Sequence, residues 1–168
     1  MLESFVDTLF TLLLYVGLPA LFVVFVLRGA IIGKPLPVTV LLPGYVLAVS
    51  SSLPETAFIV LTTATGSTLG QLFVYFSARK RGVSFIESAP RVSISEEKLL
   101  RAEALFENHG GSGIFFTNLV PYLRGLIFIP AGIANYPASR VAVYAFASTL
   151  LYHAVVVVVV VGAVRLIF

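Results

Sequence analysis

The residues of this chain that could do chemistry crowd into one stretch. Between Ile114 and Gly132, the segment IFFTNLVPYLRGLIFIPAG sets Asn118, Pro121, Arg124, Pro130 and Gly132 in apolar surroundings. A guanidinium presents forked donors that match phosphate oxygens, so Arg124 reads as a phosphate ligand. It reads equally as a clamp on backbone carbonyls that the prolines leave without partners, and both readings stay open here. An arginine at the centre of a membrane helix costs about 2.5–3.5 kcal/mol on insertion scales, so Arg124 must face a cavity, carbonyls or an anion rather than lipid tails. Asn118 can hydrogen-bond a headgroup or cap a hairpin without adding charge.

Composition decides what kind of chain holds these residues. Of 168 residues 58% are hydrophobic and only 11% charged, against about a quarter charged in soluble proteins. The mean hydropathy is +1.01. An integral membrane protein of one domain is expected. With no cysteine there is no disulfide, thiolate metal site or cysteine nucleophile, and His109 and His153 lie too far apart for a helical zinc pair. No metal, cofactor or nucleotide motif is implied. A Ser, His and carboxylate constellation is not apparent either, so an enzyme is not expected.

The net charge of +3 matters less than its placement. Arg79, Lys80 and Arg81 abut an apolar segment, and Arg91, Lys98 and Arg101 follow soon after. By the positive-inside rule this loop is cytoplasmic. Interspersed Glu87, Glu96, Glu97, Glu103 and Glu107 speak for a solvated helix beside the membrane and against a nucleic-acid surface.

These observations predict an all-α membrane fold. A first spanning helix covers 5–27, kinked at Pro19, and its start lacks the basic region of a signal peptide, so it is expected to be retained. Residues 34–52 carry Pro35, Pro37, Pro43 and Gly44, too many interruptions for one straight span, and read as a re-entrant hairpin. Pro54 and Glu55 open a second span over 54–78, in which Gly66 and Gly70 have a spacing that suits close helix packing. A cytoplasmic loop over 79–111 contains an amphipathic helix at 95–109. A second hairpin, 112–132, bends at Pro121 and Pro130, and a last span covers 137–163. With these pieces the N-terminus is cytoplasmic, and the two hairpins enter from opposite faces as an inverted repeat. Two weak internal echoes fit: Pro43-Gly44 against Pro130-Ala131-Gly132, and Ser-Thr-Leu at both 67–69 and 148–150.

NLVPYLRGLIFIPAGIANYP resembles the signature block of the DedA family, also called the VTT domain or SNARE-associated-like family. GSTLGQLFVYFSARKRG from Gly66 and SISEEKLLRAEALFENHGG from Ser93 are similar to further parts of it. The resemblance runs from about Lys34 to Tyr152. It implies a multi-pass protein of the plasma membrane that moves lipids. Phosphate-bearing headgroups would be its partners, and a homo-oligomer is compatible with the short chain.

Some family features are replaced in this chain. Asn118 stands where the resemblance places a first arginine, Pro37 and Thr39 lie near the expected acid of the first hairpin, and Gln71 occupies the place of a second acid. Substrate binding is therefore assigned to Arg124, Asn118, Pro121, Gly132, Thr39 and Gln71. Glu55 and His153 are the remaining groups for proton coupling, each with a plainer reading, as a helix N-terminal acid and as a packing residue. The expected function is ATP-independent flipping or scrambling of a phospholipid or polyprenyl phosphate. A proton-dependent transporter and a non-transporting membrane scaffold are the alternatives.

Overall fold

The computed structural model describes residues 11, 13–30, 38–49, 52–82, 110–120 and 124–167. Pro35, Pro37, Pro121, the amphipathic helix expected at 95–109 and most of the basic loop lie outside them. Every regular element among the described residues is helical: α1 (Leu18–Gly29), α2 (Val38–Ala48), α3 (Leu53–Arg81), α4 (Gly111–Leu119), α5 (Phe128–Ile133) and α6 (Ala138–Ile167).

Local sequence explains where these helices start and stop. A single helix kinked at Pro19 was expected to run through the first apolar segment, but the break falls at Gly17, whose φ of 73° suits a residue without a Cβ. Pro19 then sits in the first turn of α1, where its missing N–H costs nothing. The α3 N-terminus is closed by Glu55, whose Oε2 accepts from the Ser52 backbone N–H at 2.8 Å and the Ser52 hydroxyl at 2.9 Å. Its last turn carries Arg79, Lys80 and Arg81, the charge sign that the C-terminal dipole favours. Within α2, Pro43 removes the hydrogen bond that would close on the Thr39 carbonyl.

Helix length separates two kinds of element. At 1.5 Å per residue, the 29 residues of α3 and 30 of α6 reach about 43–45 Å, more than the roughly 30 Å of a hydrocarbon core. Both are long and apolar enough to cross a membrane. By contrast α2, α4 and α5, with 11, 9 and 6 residues, extend only about 9–16 Å. None of the three could cross alone.

The helices pack in a reciprocal way. α3 is contacted by α1, α5 and α6, while α6 is contacted by α2, α3 and α4. The α1–α3 crossing is made through glycines: a methyl on Gly29 would overlap the Ser67 carbonyl, and one on Gly70 the Val26 carbonyl. At the other end of α3, the Tyr75 hydroxyl donates to the Tyr136 carbonyl and Arg79 Nε donates to Asn135 Oδ1 at 3.0 Å, fastening the segment after α5. Gly132 lies against the Tyr75 carbonyl with no room for a Cβ.

Two apolar clusters result. One gathers Val74, Tyr75 and Ala78 of α3 with Ile114, Phe128, Ile129, Val141 and Ala145. The other gathers Ile59 and Val60 of α3 with Leu21, Phe25, Leu42, Tyr45, Val157 and Val161. Along both long helices these clusters occupy opposite ends, so α3 and α6 run antiparallel and a middle layer separates them. Phe58, Phe73, Phe76, Val155, Val158 and Val159 point outward and are exposed, as lipid-facing side chains would be.

Candidate functional site

The middle layer is polar. Thr63, Ser67 and Gln71 of α3, Asn118 of α4, Arg124 in the turn before α5, and Ser148, Thr149 and His153 of α6 are all buried. Buried polar groups survive only when hydrogen-bonded, and most of these are. Asn118 is the hub: its Nδ2 donates to Ser148 Oγ at 2.8 Å and Thr149 Oγ1 at 3.0 Å, while its Oδ1 accepts from Gln71 Nε2 at 3.1 Å. Thr149 Oγ1 donates to Gln71 Oε1 at 3.3 Å and closes the ring. The network draws on three helices and carries no charge of its own.

Arg124 borders this ring. Its guanidinium lies over the Tyr152 ring with Cζ 4.1 Å from the centroid, and Nη2 approaches Thr149 Oγ1 at 3.5 Å. Stacking holds the plane of the guanidinium while its donors stay in that plane, the arrangement in which arginine reads planar anions. Nη1 is buried with no hydrogen-bond partner among the described residues. The one carboxylate among those residues, Glu55, is exposed at the start of α3 and tied to Ser52. Among the described residues, Arg124 therefore brings an unpartnered donor, and a positive charge, to a layer whose other buried side chains are neutral.

His153 lies one turn along α6. Its Nδ1 is 3.1 Å from Thr63 Oγ1, and its ring packs edge-on to Phe25 at 5.1 Å between centroids. Thr63 has a single hydroxyl proton; with that proton on the Val60 carbonyl at 3.0 Å, Nδ1 is the donor. Nε2 has no hydrogen-bond partner among the described residues, and neither does Ser67 Oγ, one turn beyond Thr63 on α3.

Of the residues singled out in the sequence, the fold brings Gln71, Asn118, Arg124 and His153 to one layer. Thr39 is exposed on α2, Gly132 faces the α3 backbone, and Glu55 lies at the start of α3, beside an open cleft of about 440 Å³ lined by Leu18, Tyr45, Phe58 and Ile59. That cleft includes no residue of the polar layer. Pro43 and Pro130 are buried in α2 and α5. Ser148, Thr149, Thr63 and Tyr152 were not foreseen as site residues. The signal for the first two was present, since the Ser-Thr-Leu echo places Ser67 and Ser148 in the same layer.

Long apolar helices around a buried cationic layer are the build of a membrane-embedded domain, where intramembrane charge faces the protein interior. The chain belongs to the VTT domain, or DedA, family, whose match covers residues 21–163. It is 32% identical over 116 residues to the uncharacterized membrane protein YkoX of Bacillus subtilis, an overlap of 68% of this chain and 52% of that protein. It is 29% identical over 79 residues to undecaprenyl phosphate transporter A of the same organism, covering 46% and 40%. An alkaline phosphatase-like protein of Lactococcus lactis is 30% identical over 104 residues, covering 58% and 49%. The chain thus spans about half the length or less of these relatives. No solved structure matches it significantly.

Proposed function

We propose that this protein moves a phosphate-bearing lipid, a polyprenyl phosphate or a phospholipid, across the bilayer without ATP. The observation that carries this reading is the buried Arg124 guanidinium, stacked on Tyr152 with Nη1 unpartnered among the described residues, in a neutral layer between two apolar clusters. Moving a charged headgroup through hydrocarbon requires a polar way-station near mid-depth, and α3 and α6 each carry this layer near their middle. The short α2 and the α4–α5 pair are the natural arms of two re-entrant hairpins. Their reciprocal seats, α2 on α6 and α5 on α3, support an inverted repeat with the site at its centre. In this arrangement the N-terminus and the basic loop after α3 are cytoplasmic. The domain lies in the plasma membrane and is free to self-associate.

Passive scrambling is favoured over proton coupling. Glu55 is committed to capping α3, and His153 is held by Thr63 and Phe25. A non-transporting scaffold draws its support from the closed Asn118 ring, whose hydrogen bonds hold three helices together.

The test is flux in vesicles containing the purified chain, with labelled polyprenyl phosphate and labelled phospholipid in parallel. Native protein should accelerate movement of one of them over empty vesicles, and Arg124→Gln should abolish the gain. Rates equal to those of empty vesicles for both lipids would leave the scaffold as the surviving reading. Loss of flux on collapsing a pH gradient would restore coupling.

A further inference from the structure

Buried polar atoms without partners gather in the middle layer. Among the described residues, Arg124 Nη1, His153 Nε2 and Ser67 Oγ all lie there, each without a hydrogen bond. Atoms of this kind are costly unless something else meets them. Ser67 departs from the habit of its own helix: Thr62, Thr65 and Thr68 each donate to the carbonyl one turn back, and Ser67 Oγ makes no such bond. On α3 it stands halfway between Thr63, which touches His153 at 3.1 Å, and Gln71, which touches Thr149 at 3.3 Å. Its side chain therefore shares the stripe that faces α6.

The three atoms differ in what they can accept as a partner. Arg124 Nη1 only donates, and a phosphate oxygen suits it. His153 is the opposite case. Its Nδ1 proton is directed to Thr63 Oγ1, whose own proton is on the Val60 carbonyl, and in a neutral imidazole that leaves a lone pair on Nε2. A lone pair repels a phosphate oxygen and needs a donor. Ser67 Oγ can play either part and does not discriminate. Arg124 Cζ lies 4.1 Å from the centroid of the Tyr152 ring, which is 6.2 Å from that of His153. Guanidinium and imidazole are thus no further apart than these two lengths together, a span that one phosphate with a nearby hydroxyl can bridge.

We infer that His153 is a specificity-determining residue of the proposed translocase: its Nε2 accepts a hydrogen bond from a hydroxyl on the headgroup whose phosphate Arg124 holds. The hydroxyl belongs either to an alcohol esterified to the phosphate or to the phosphate itself, as P–OH. A headgroup with neither leaves Nε2 buried and unmet, and is discriminated against for that reason. The headgroup reaches Nε2 as the layer parts, the movement that translocation itself demands. The inference rests on the lipid-translocase reading, yet binding can be tested apart from movement.

The experiment measures equilibrium binding of three dihexanoyl lipids to the full chain in mild detergent. Phosphatidylglycerol has its hydroxyls on the attached alcohol, phosphatidic acid has one on phosphorus, and phosphatidylmethanol has none while matching the charge of the glycerol lipid. At least one hydroxyl lipid should bind about fivefold or more tighter than phosphatidylmethanol, and the one preferred names the source of the donor. His153→Asn places an amide near the Nδ1 position and keeps the bond to Thr63 but not the Nε2 acceptor; it should erase the preference. His153→Gln puts an amide oxygen near the Nε2 position and should retain it. A residue that only packs or holds Thr63 predicts the reverse pattern. Native affinities within twofold for all three lipids would overturn the inference, whether or not the variants fold. So would a preference kept by folded His153→Asn or lost in folded His153→Gln. Vesicle flux is the separate readout: selectivity without flux refutes the translocase and leaves the His153 contact standing, whereas flux without selectivity does the reverse.

Discussion

Replacing Asn118 with leucine tests the polar layer most directly. The side chain is fully buried and makes three close hydrogen bonds, at 2.8, 3.0 and 3.1 Å, to Ser148, Thr149 and Gln71. Leucine is similar in size, so the change removes the bonds without opening much space. Side-chain hydrogen bonds between membrane helices average about 0.6 kcal/mol and reach about 1.7, while soluble proteins give about 0.5–1.5 each. Three of them come to about 2–4 kcal/mol, with the Gln71 amide left without its acceptor as a further cost. For a chain of this length each kcal/mol lowers the melting temperature by about 2–4 °C, so a fall of about 5–15 °C is expected. Thermal melting of purified protein in mild detergent reads this. A double-mutant cycle with Gln71→Leu isolates the shared bond and should show a coupling of about 0.5–1.5 kcal/mol. A melting point within 1 °C of native, or strict additivity with Gln71→Leu, would refute the network as the fastening between α3, α4 and α6.

Further outcomes follow from other contacts. Tyr152→Leu removes the surface under Arg124 and should cost about 0.5–2 kcal/mol of stacking; in the vesicle assay it should slow flux without abolishing it, whereas an unchanged rate would separate Tyr152 from the path. Gly132→Val forces a side chain into the Tyr75 carbonyl and Ala78 and should destabilise by at least about 1–3 kcal/mol, read as a lowered melting temperature; a native melting curve would contradict the α3–α5 contact. Glu55→Gln should reduce thermal stability slightly, through the loss of the α3 cap, and leave lipid flux and its response to a pH gradient as in the native chain. A lost gradient response would make Glu55 a coupling group after all.

The sequence made the helical, apolar character of the fold plain because both are set by local composition. Runs such as the valines near Val157 have no other stable state in hydrocarbon. Proline did not mark the points of interruption: Pro43 and Pro130 lie within α2 and α5, and in the first segment Pro19 is compatible with a helix start as well as a kink while Gly17 takes the positive φ. The site was legible only in part. Asn118, Arg124 and Gln71 stood out as polar types in apolar runs. Their partners did not, because Thr63, Ser148 and Thr149 are ordinary in membrane helices, where hydroxyls turn back to the preceding carbonyl, as Thr62, Thr65 and Thr68 do. The packing of α3 and α4 against α6 gives them other work.

The unequal make-up of α3 and α6 also bears on how the chain enters a bilayer. α6 has a long valine tract and only a short polar stretch around Ser148, Thr149 and His153, so it is stable in lipid as a lone helix. α3 presents Thr62, Thr63, Thr65, Ser67, Thr68 and Gln71 along its middle turns, and among the described residues its Gln71 amide finds partners on α4 and α6. Synthesis delivers α3 first. Until α6 follows, the Gln71 amide lacks the partners it has in the fold, so the later-made of the two long helices is the one that lets the earlier settle in lipid.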